Sequence, residues 1–223
     1  MIEAVVQYFP QLLQGFVVTL TVAVGSFAFG LLLAVFLAPT AVYGPAPVRK
    51  IIAGYVGLIR GLPELLVIFL IFYGGTVFLT GLFGTYVEVN ALTAGIAALT
   101  VVSAAYLTEI LRGALLGVSS GQWEAALALG FRRPRAFRLI VLPQMMVNAL
   151  PGLGNQWLVI LKESALVSIV GLEELMRKSL VAAGATHQPL AFYLTAAALY
   201  VLVTGVSTLA INAYSRRLTT HLR

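Results

Sequence analysis

Residues 124 to 144 read EAALALGFRRPRAFRLIVLPQ, and four arginines, Arg132, Arg133, Arg135 and Arg138, fall within seven of these positions. The chain on both sides is apolar and free of charge for long stretches. A soluble domain spreads its charge over its surface; here the charge is gathered into one short segment between segments that water rejects. Just before it, Ser119-Ser120-Gly121 precede QWEAALAL. Ser119 with Gln122 has capping-box spacing, and the alanines and leucines that follow favour helix. Gly130 suits the left-handed position that closes a helix, and Pro134 suits the first turn of the next. The stretch therefore predicts a short helix, a sharp turn, and a basic helix leading back into an apolar environment.

Outward from this loop, the 223 residues are 60% hydrophobic and 10% charged, whereas a soluble globular domain carries about 25% charged residues. A helix needs roughly 20 apolar residues to cross a bilayer core. Uncharged runs cover 12–38, 65–87, 89–108, 139–161 and 190–213. They predict an all-α integral membrane protein with five transmembrane helices, the second over about 63–80 and the third running on toward Gly117. Residues 48–60 are too short to span before Pro63 interrupts, and are expected as an interfacial helix on the cytoplasmic side. The first ten residues, MIEAVVQYFP, contain Glu3 and no basic group, so the first apolar run is expected to stay as an anchor rather than be cleaved as a signal peptide.

The net charge of +6 would suit nucleic acid if it lay on a polar face, but it lies between the apolar runs, as the positive-inside bias requires. With the N-terminus outside and the C-terminus inside, the segments 39–62, 112–138 and 214–223 face the cytoplasm. They hold eleven of the fourteen Lys and Arg; the exceptions are Lys162, Arg177 and Lys178. The absence of cysteine excludes disulfides and thiolate chemistry, and two histidines cannot build a multi-histidine metal centre. No Walker A, G-x-S-x-G or H-E-x-x-H pattern occurs. No catalytic or metal-binding residue is expected, and any energy source must lie in another polypeptide.

Within the opening stretch, Glu124-Ala125-Ala126, Gly130 after three residues, Ile140 after nine more, and Leu142-Pro143 one residue on resemble the EAA motif of ABC importer permease subunits. The resemblance extends to LLQGFVVTLTVA (12–23), IRGLPELLVIFLIFYG (59–74), AYLTEILRGALLGVSSGQWEAA (105–126) and LPGLGNQWLVILKESALVSIVGLEEL (150–175). These look like the polar amino acid uptake branch, of the histidine, lysine-arginine-ornithine or opine type. The segment Lys162-Glu163-Ser164-Ala165-Leu166 departs from it, with Glu where relatives often carry Asp or Ser.

The resemblance implies a single transmembrane permease domain over 1–223, with a cytoplasmic coupling loop at about 118–138, in the bacterial inner membrane. It implies that Glu124, Ala125, Ala126 and Gly130 couple to a cytoplasmic ABC ATPase dimer, which uses the ATP and Mg while this chain binds no cofactor. A second permease subunit, a related heteromer rather than a second copy, and an extracytoplasmic substrate-binding protein complete the assembly. The chain would translocate polar, basic amino acids or opines. An ATP-independent secondary transporter is the alternative, though no inverted repeat favours it. A membrane enzyme lacks converging catalytic groups.

Other residues carry two readings. Glu109 is an ionisable group inside a span, so a functional candidate, but Arg112 three residues on can pair with it. Gly113, Gly117 and Gly121 have the spacing of close helix packing. Pro143, Pro151, Gly152 and Gly154 are expected to break the fourth span, leaving Asn155, Lys162, Glu163 and Ser164 beside the pathway. Arg60 and Glu64, which flank Pro63, are expected to fix the turn into the second span.

Overall fold

A computed structural model describes the backbone of residues 2–221 and the side chains of 3–217; Arg223, one of the expected cytoplasmic cations, lies outside them. All regular structure among the described residues is helical. In chain order the α-helices are α1 (Ile2–Tyr43), α2 (Ala46–Arg60), α3 (Glu64–Phe83), α4 (Ala91–Leu116), α5 (Ser120–Ala128), α6 (Arg133–Ala136), α7 (Leu142–Glu163), α8 (Leu175–Thr186) and α9 (Pro189–His221). A π-helical turn, Phe137–Val141, joins α6 to α7, and a 3₁₀ segment, Ser164–Val170, follows α7. Five helical stretches among the described residues are long and apolar enough to cross a membrane, and they coincide with the five uncharged runs.

α4 is the axis of the bundle. Its buried face runs from Ala94 through Ala98, Val102 and Ala105 to Leu115. Small residues let α1 lie against it: a Cβ on Gly30 would overlap Ser103 Oγ, and one on Gly25 would touch Ile96 at 3.4 Å. Two hydroxyls tie the same face, Ser103 Oγ donating to Ser26 O at 3.0 Å and Ser26 Oγ to Ile96 O at 3.3 Å. Close contact between helices rests on such small residues. The spacing of Gly113, Gly117 and Gly121 misled on this point. A Cβ on Gly113 meets nothing within 4 Å, one on Gly121 of α5 meets only Ser119 Oγ of its own cap, and only Gly117 meets another helix, at Asn148 Nδ2, 3.3 Å away.

The fourth span is widened ahead of Pro143, by the π-helical turn Phe137–Val141, but is not broken at Pro151. α7 is continuous through Pro151, and Pro143 occupies its first turn. Pro151 removes one backbone hydrogen bond, but close packing holds this region: a Cβ on Gly152 would sit 2.7 Å from Ile110 Cγ2, and one on Gly154 2.8 Å from Ile211 Cγ2. The break lies between α2 and α3, where Pro63 has no N–H and drives Leu62 out of the helical region.

α2 forms where an interfacial helix is expected, and it packs along α4. The Tyr55 hydroxyl donates to Val101 O at 2.6 Å, and Val101 lies well inside the 26-residue α4. Beyond the break, Ile68 and Phe72 of α3 pack with Ala94, Ala98 and Leu99. α2, the Gly61-Leu62-Pro63 break and α3 thus form one broken passage along α4.

On the far side of the bundle, α8 is fastened by Glu174, which is fully buried. Its carboxylate caps α8 by accepting from Met176 N at 2.9 Å and Arg177 N at 2.8 Å. It also accepts from Thr19 Oγ1 of α1 at 3.1 Å. Burial pushes this carboxyl above the usual range, opposed by the two amides. Gly15 is needed beside it, because a Cβ there would meet the Glu174 carbonyl at 3.0 Å and Lys178 Cγ at 2.9 Å.

Candidate functional site

The break gathers four polar groups beside the apolar helices α3 and α4. Arg60, at the end of α2, places its guanidinium over the Tyr106 ring of α4, 5.4 Å from the centroid. Glu64 opens α3, whose first turn has no side-chain cap. Glu163 ends α7 and interacts electrostatically with Glu64 and Lys162. Tyr106 lies in the field of Glu64, Glu163 and Arg60. Two carboxylates, one guanidinium and one phenol from four helices therefore lie within electrostatic reach of one another. Ends of broken helices serve transporters in this way, because the free amides of one half-helix and the carbonyls of the other offer charge without a side chain.

Glu163 is the distinctive member. It is half-buried, and its Oε2 is buried without a hydrogen-bond partner. A buried polar atom that finds no partner costs about 1–3 kcal/mol, more if charged. Lys162 beside it is exposed and makes no hydrogen bond to that oxygen, so it acts on Glu163 only through its charge. The arrangement can hold a cation between Glu64 and Glu163, and an anion at Arg60 and the first turn of α3.

The remaining pathway candidates have other surroundings. Glu109 makes a bidentate pair with Arg112, Oε1 to Nη2 at 2.6 Å and Oε2 to Nε at 2.9 Å. The pair lines a cavity of about 510 Å³ between α2 and α4, together with Arg49, Lys50, Arg60 and Thr108. Its only carboxylate is already paired, which makes the cavity cationic. Ser164 is fully buried and donates to Leu161 O at 2.7 Å, starting the 3₁₀ segment. Asn155 is not brought to Glu163; it opens into a groove between α7 and α9 with Thr208 and Asn212. Arg60 and Glu64, read from the sequence as turn-makers, belong to the site, and Tyr106 was missed. The signal for the first two was charge on both sides of a proline inside an otherwise apolar stretch. Tyr106 carried no signal, being one aromatic residue among many.

At the other end of α4 the loop folds as its residues dictate. Ser119 caps α5 by accepting from Gly121 N at 3.3 Å. The capping box does not close, because Gln122 turns away to accept from Gln144 Nε2 at 3.2 Å. α5 ends in a Schellman turn: Gly130 takes φ +80°, its N–H reaches Leu127 O at 3.0 Å, and Phe131 N reaches Ala126 O at 3.1 Å. Ala126 is buried against the bundle, while Glu124, Ala125, Ala128 and Leu129 are exposed. The arginines 132, 133, 135 and 138 are exposed beside them. A short rigid helix with a small-residue face and flanking cations projects from the bundle.

Comparison with known proteins agrees with this geometry. Residues 30–221 match the family of binding-protein-dependent transport system inner membrane components. The chain is 43% identical over 201 residues to the octopine transport system permease protein OccQ of Rhizobium radiobacter, covering 88% of this chain and 85% of that one. It is 40% identical over 201 residues to the arginine ABC transporter permease protein ArtQ of Haemophilus influenzae, covering 90% of each. A crystal structure of an amino acid ABC transporter with histidines superposes with a TM-score of 0.86 at 33% identity, over 96% of this chain and 97% of that one.

Proposed function

We propose a substrate class, an orientation and an assembly for this chain, which belongs to the family of binding-protein-dependent transport system inner membrane components. It is a multi-pass permease subunit of an ABC importer and not an enzyme, and it works with an ATPase and a binding protein. Family membership removes the ATP-independent secondary transporter from consideration. The substrate we propose is a basic amino acid or an opine built on one. The observation that carries this is the pair of carboxylates, Glu64 and Glu163, set against Arg60 at the α2–α3 break. A basic amino acid presents a cationic side chain to the first two and an α-carboxylate to the third. The names of the octopine and arginine permeases support the same class.

Arg60 is exposed and Glu64 half-buried, and the closure of the site is assigned to a second permease. A related but different subunit fits the histidine-type resemblance better than a second copy. The test is reconstitution with the ATPase, the binding protein and the second permease. ATPase stimulation and uptake are then measured across lysine, arginine, ornithine, histidine, octopine and glutamine. Stimulation at least tenfold stronger with the basic compounds than with glutamine is expected; equal stimulation defeats the substrate assignment.

The orientation follows from charge: Arg112 and the four loop arginines lie at one end of α4, and the loop before its other end, with Glu88, holds no Lys or Arg. The native chain has no cysteine, so single cysteines report cleanly. A cysteine at Thr85 should react with an impermeant maleimide in intact spheroplasts, and one at Leu129 only after the membrane is opened. The reverse pattern overturns the orientation and with it the cytoplasmic placement of α5.

A further inference from the structure

The π-helical turn between α6 and α7 lies beside α5 and has a local cause. Pro143 cannot donate a hydrogen bond, so the Leu139 carbonyl has no α-helical partner, and the ring would crowd it in a regular turn. The backbone widens instead, and Leu142 N–H reaches back to Phe137 O, one residue further than in an α-helix. Gln144 steadies the widened turn from within, Nε2 donating to Ile140 O at 2.9 Å. The same nitrogen donates to Gln122 Oε1 of α5 at 3.2 Å.

A second contact joins α5 to the other end of the turn. The Trp123 indole stacks on Phe137, with centroids 6.3 Å apart and planes at 24°. Tyr43, the last residue of α1, meets Trp123 edge-on, with centroids 6.4 Å apart. Two adjacent residues of α5 thus grip the start and the far side of the π-turn. Beyond it α7 runs 22 residues without a break, about 33 Å at 1.5 Å per residue. It ends on Glu163 of the substrate site.

We propose that the π-turn Phe137–Val141 is the joint of the import cycle, and that Gln144 and Gln122 are the positioning residues that drive α7, and so Glu163, from α5. A turn that α-helical hydrogen bonding cannot close is a place where direction changes at low cost, and π-turns recur at functional sites. Pro143 keeps the joint open, Trp123 seats α5 on it, and the glutamine bridge converts displacement of α5 into rotation of α7. The inference rests on α5 being the surface the ATPase moves.

The test is made on the whole reconstituted importer, with ATP hydrolysed per substrate moved as the readout, and with the variants Gln122→Met and Gln144→Met. Both keep the length of the side chain and remove the bridge. In both, the ATPase is expected to co-purify and hydrolyse ATP, while the ATP spent per substrate rises at least tenfold. A purely structural role would lower assembly and both activities together. A ratio within twofold of native in both variants overturns the proposal, and so does a native ratio in Gln122→Met alone. If Gln144→Met does not assemble, Gln122→Met decides by itself, because it leaves the clamp on Ile140 in place. Failure of the underlying reading shows differently: Glu124→Lys would then keep the ATPase attached and coupled.

Discussion

Glu124→Lys is expected to leave the protein folded and inserted but to abolish its hold on the ATPase. Glu124 is exposed on α5, whose two ends are secured without it, by Ser119 at the start and the Gly130 turn at the finish. Inward-facing contacts come from Ala126 and Trp123, which the substitution does not touch. Lysine is as good a helix former as glutamate, so α5 itself is preserved. The partner surface changes by two units of charge beside four exposed arginines. Opposite charges at 4 Å are worth about 4 kcal/mol at an effective dielectric near 20. Turning such an attraction into repulsion exceeds the roughly 1.4 kcal/mol that corresponds to a tenfold loss of affinity. Membrane-fraction yield should match the native protein, while ATPase co-purification and uptake each fall at least tenfold. Native co-purification and uptake would show that this face of α5 is not the coupling surface.

The fold was legible because its strongest signals are local. Five spans follow from charge-free runs, since a charge inside a bilayer is costly wherever it lies. The ends of α5 followed from Ser119 and Gly130, residues whose backbone and side-chain preferences do not depend on distant packing. The site was less legible because prolines look alike in a sequence. Pro63, Pro143 and Pro151 each remove one backbone donor, and their outcomes differ entirely. Pro63 separates two helices, Pro143 widens a turn, and Pro151 rides inside α7. What decides among them is what packs alongside: Ile110 and Ile211 close onto Gly152 and Gly154. Those contacts come from α4 and α9, remote in sequence. Glu174 was illegible for a related reason, because its partner Thr19 is 155 residues away.

Glu163→Gln is expected to lower uptake of lysine and arginine at least tenfold relative to glutamine, with the neutral substrate little changed. The substitution keeps the volume and removes only the charge. Oε2 of Glu163 is buried and has no hydrogen-bond partner among the described residues. A cationic side chain brought within about 4 Å gains roughly 4 kcal/mol at an effective dielectric near 20, against about 1 in bulk water. About a third of the larger figure, roughly 1.4 kcal/mol, already gives a tenfold preference. Lys162 opposes this through its charge, but it is exposed and makes no hydrogen bond to Oε2, so it offsets only part of the gain. Glu64 shares the same field, so Glu64→Gln should show a smaller loss of the same sign, and the double variant the largest. Two carboxylates also repel each other when empty, and a bound cation relieves that repulsion; the single variants should therefore not be additive. The measurement is competition between arginine and glutamine for uptake, with binding-protein affinity held constant by using one binding protein throughout. An unchanged ratio in Glu163→Gln would move the choice of substrate away from this pair of carboxylates, to the binding protein that delivers it.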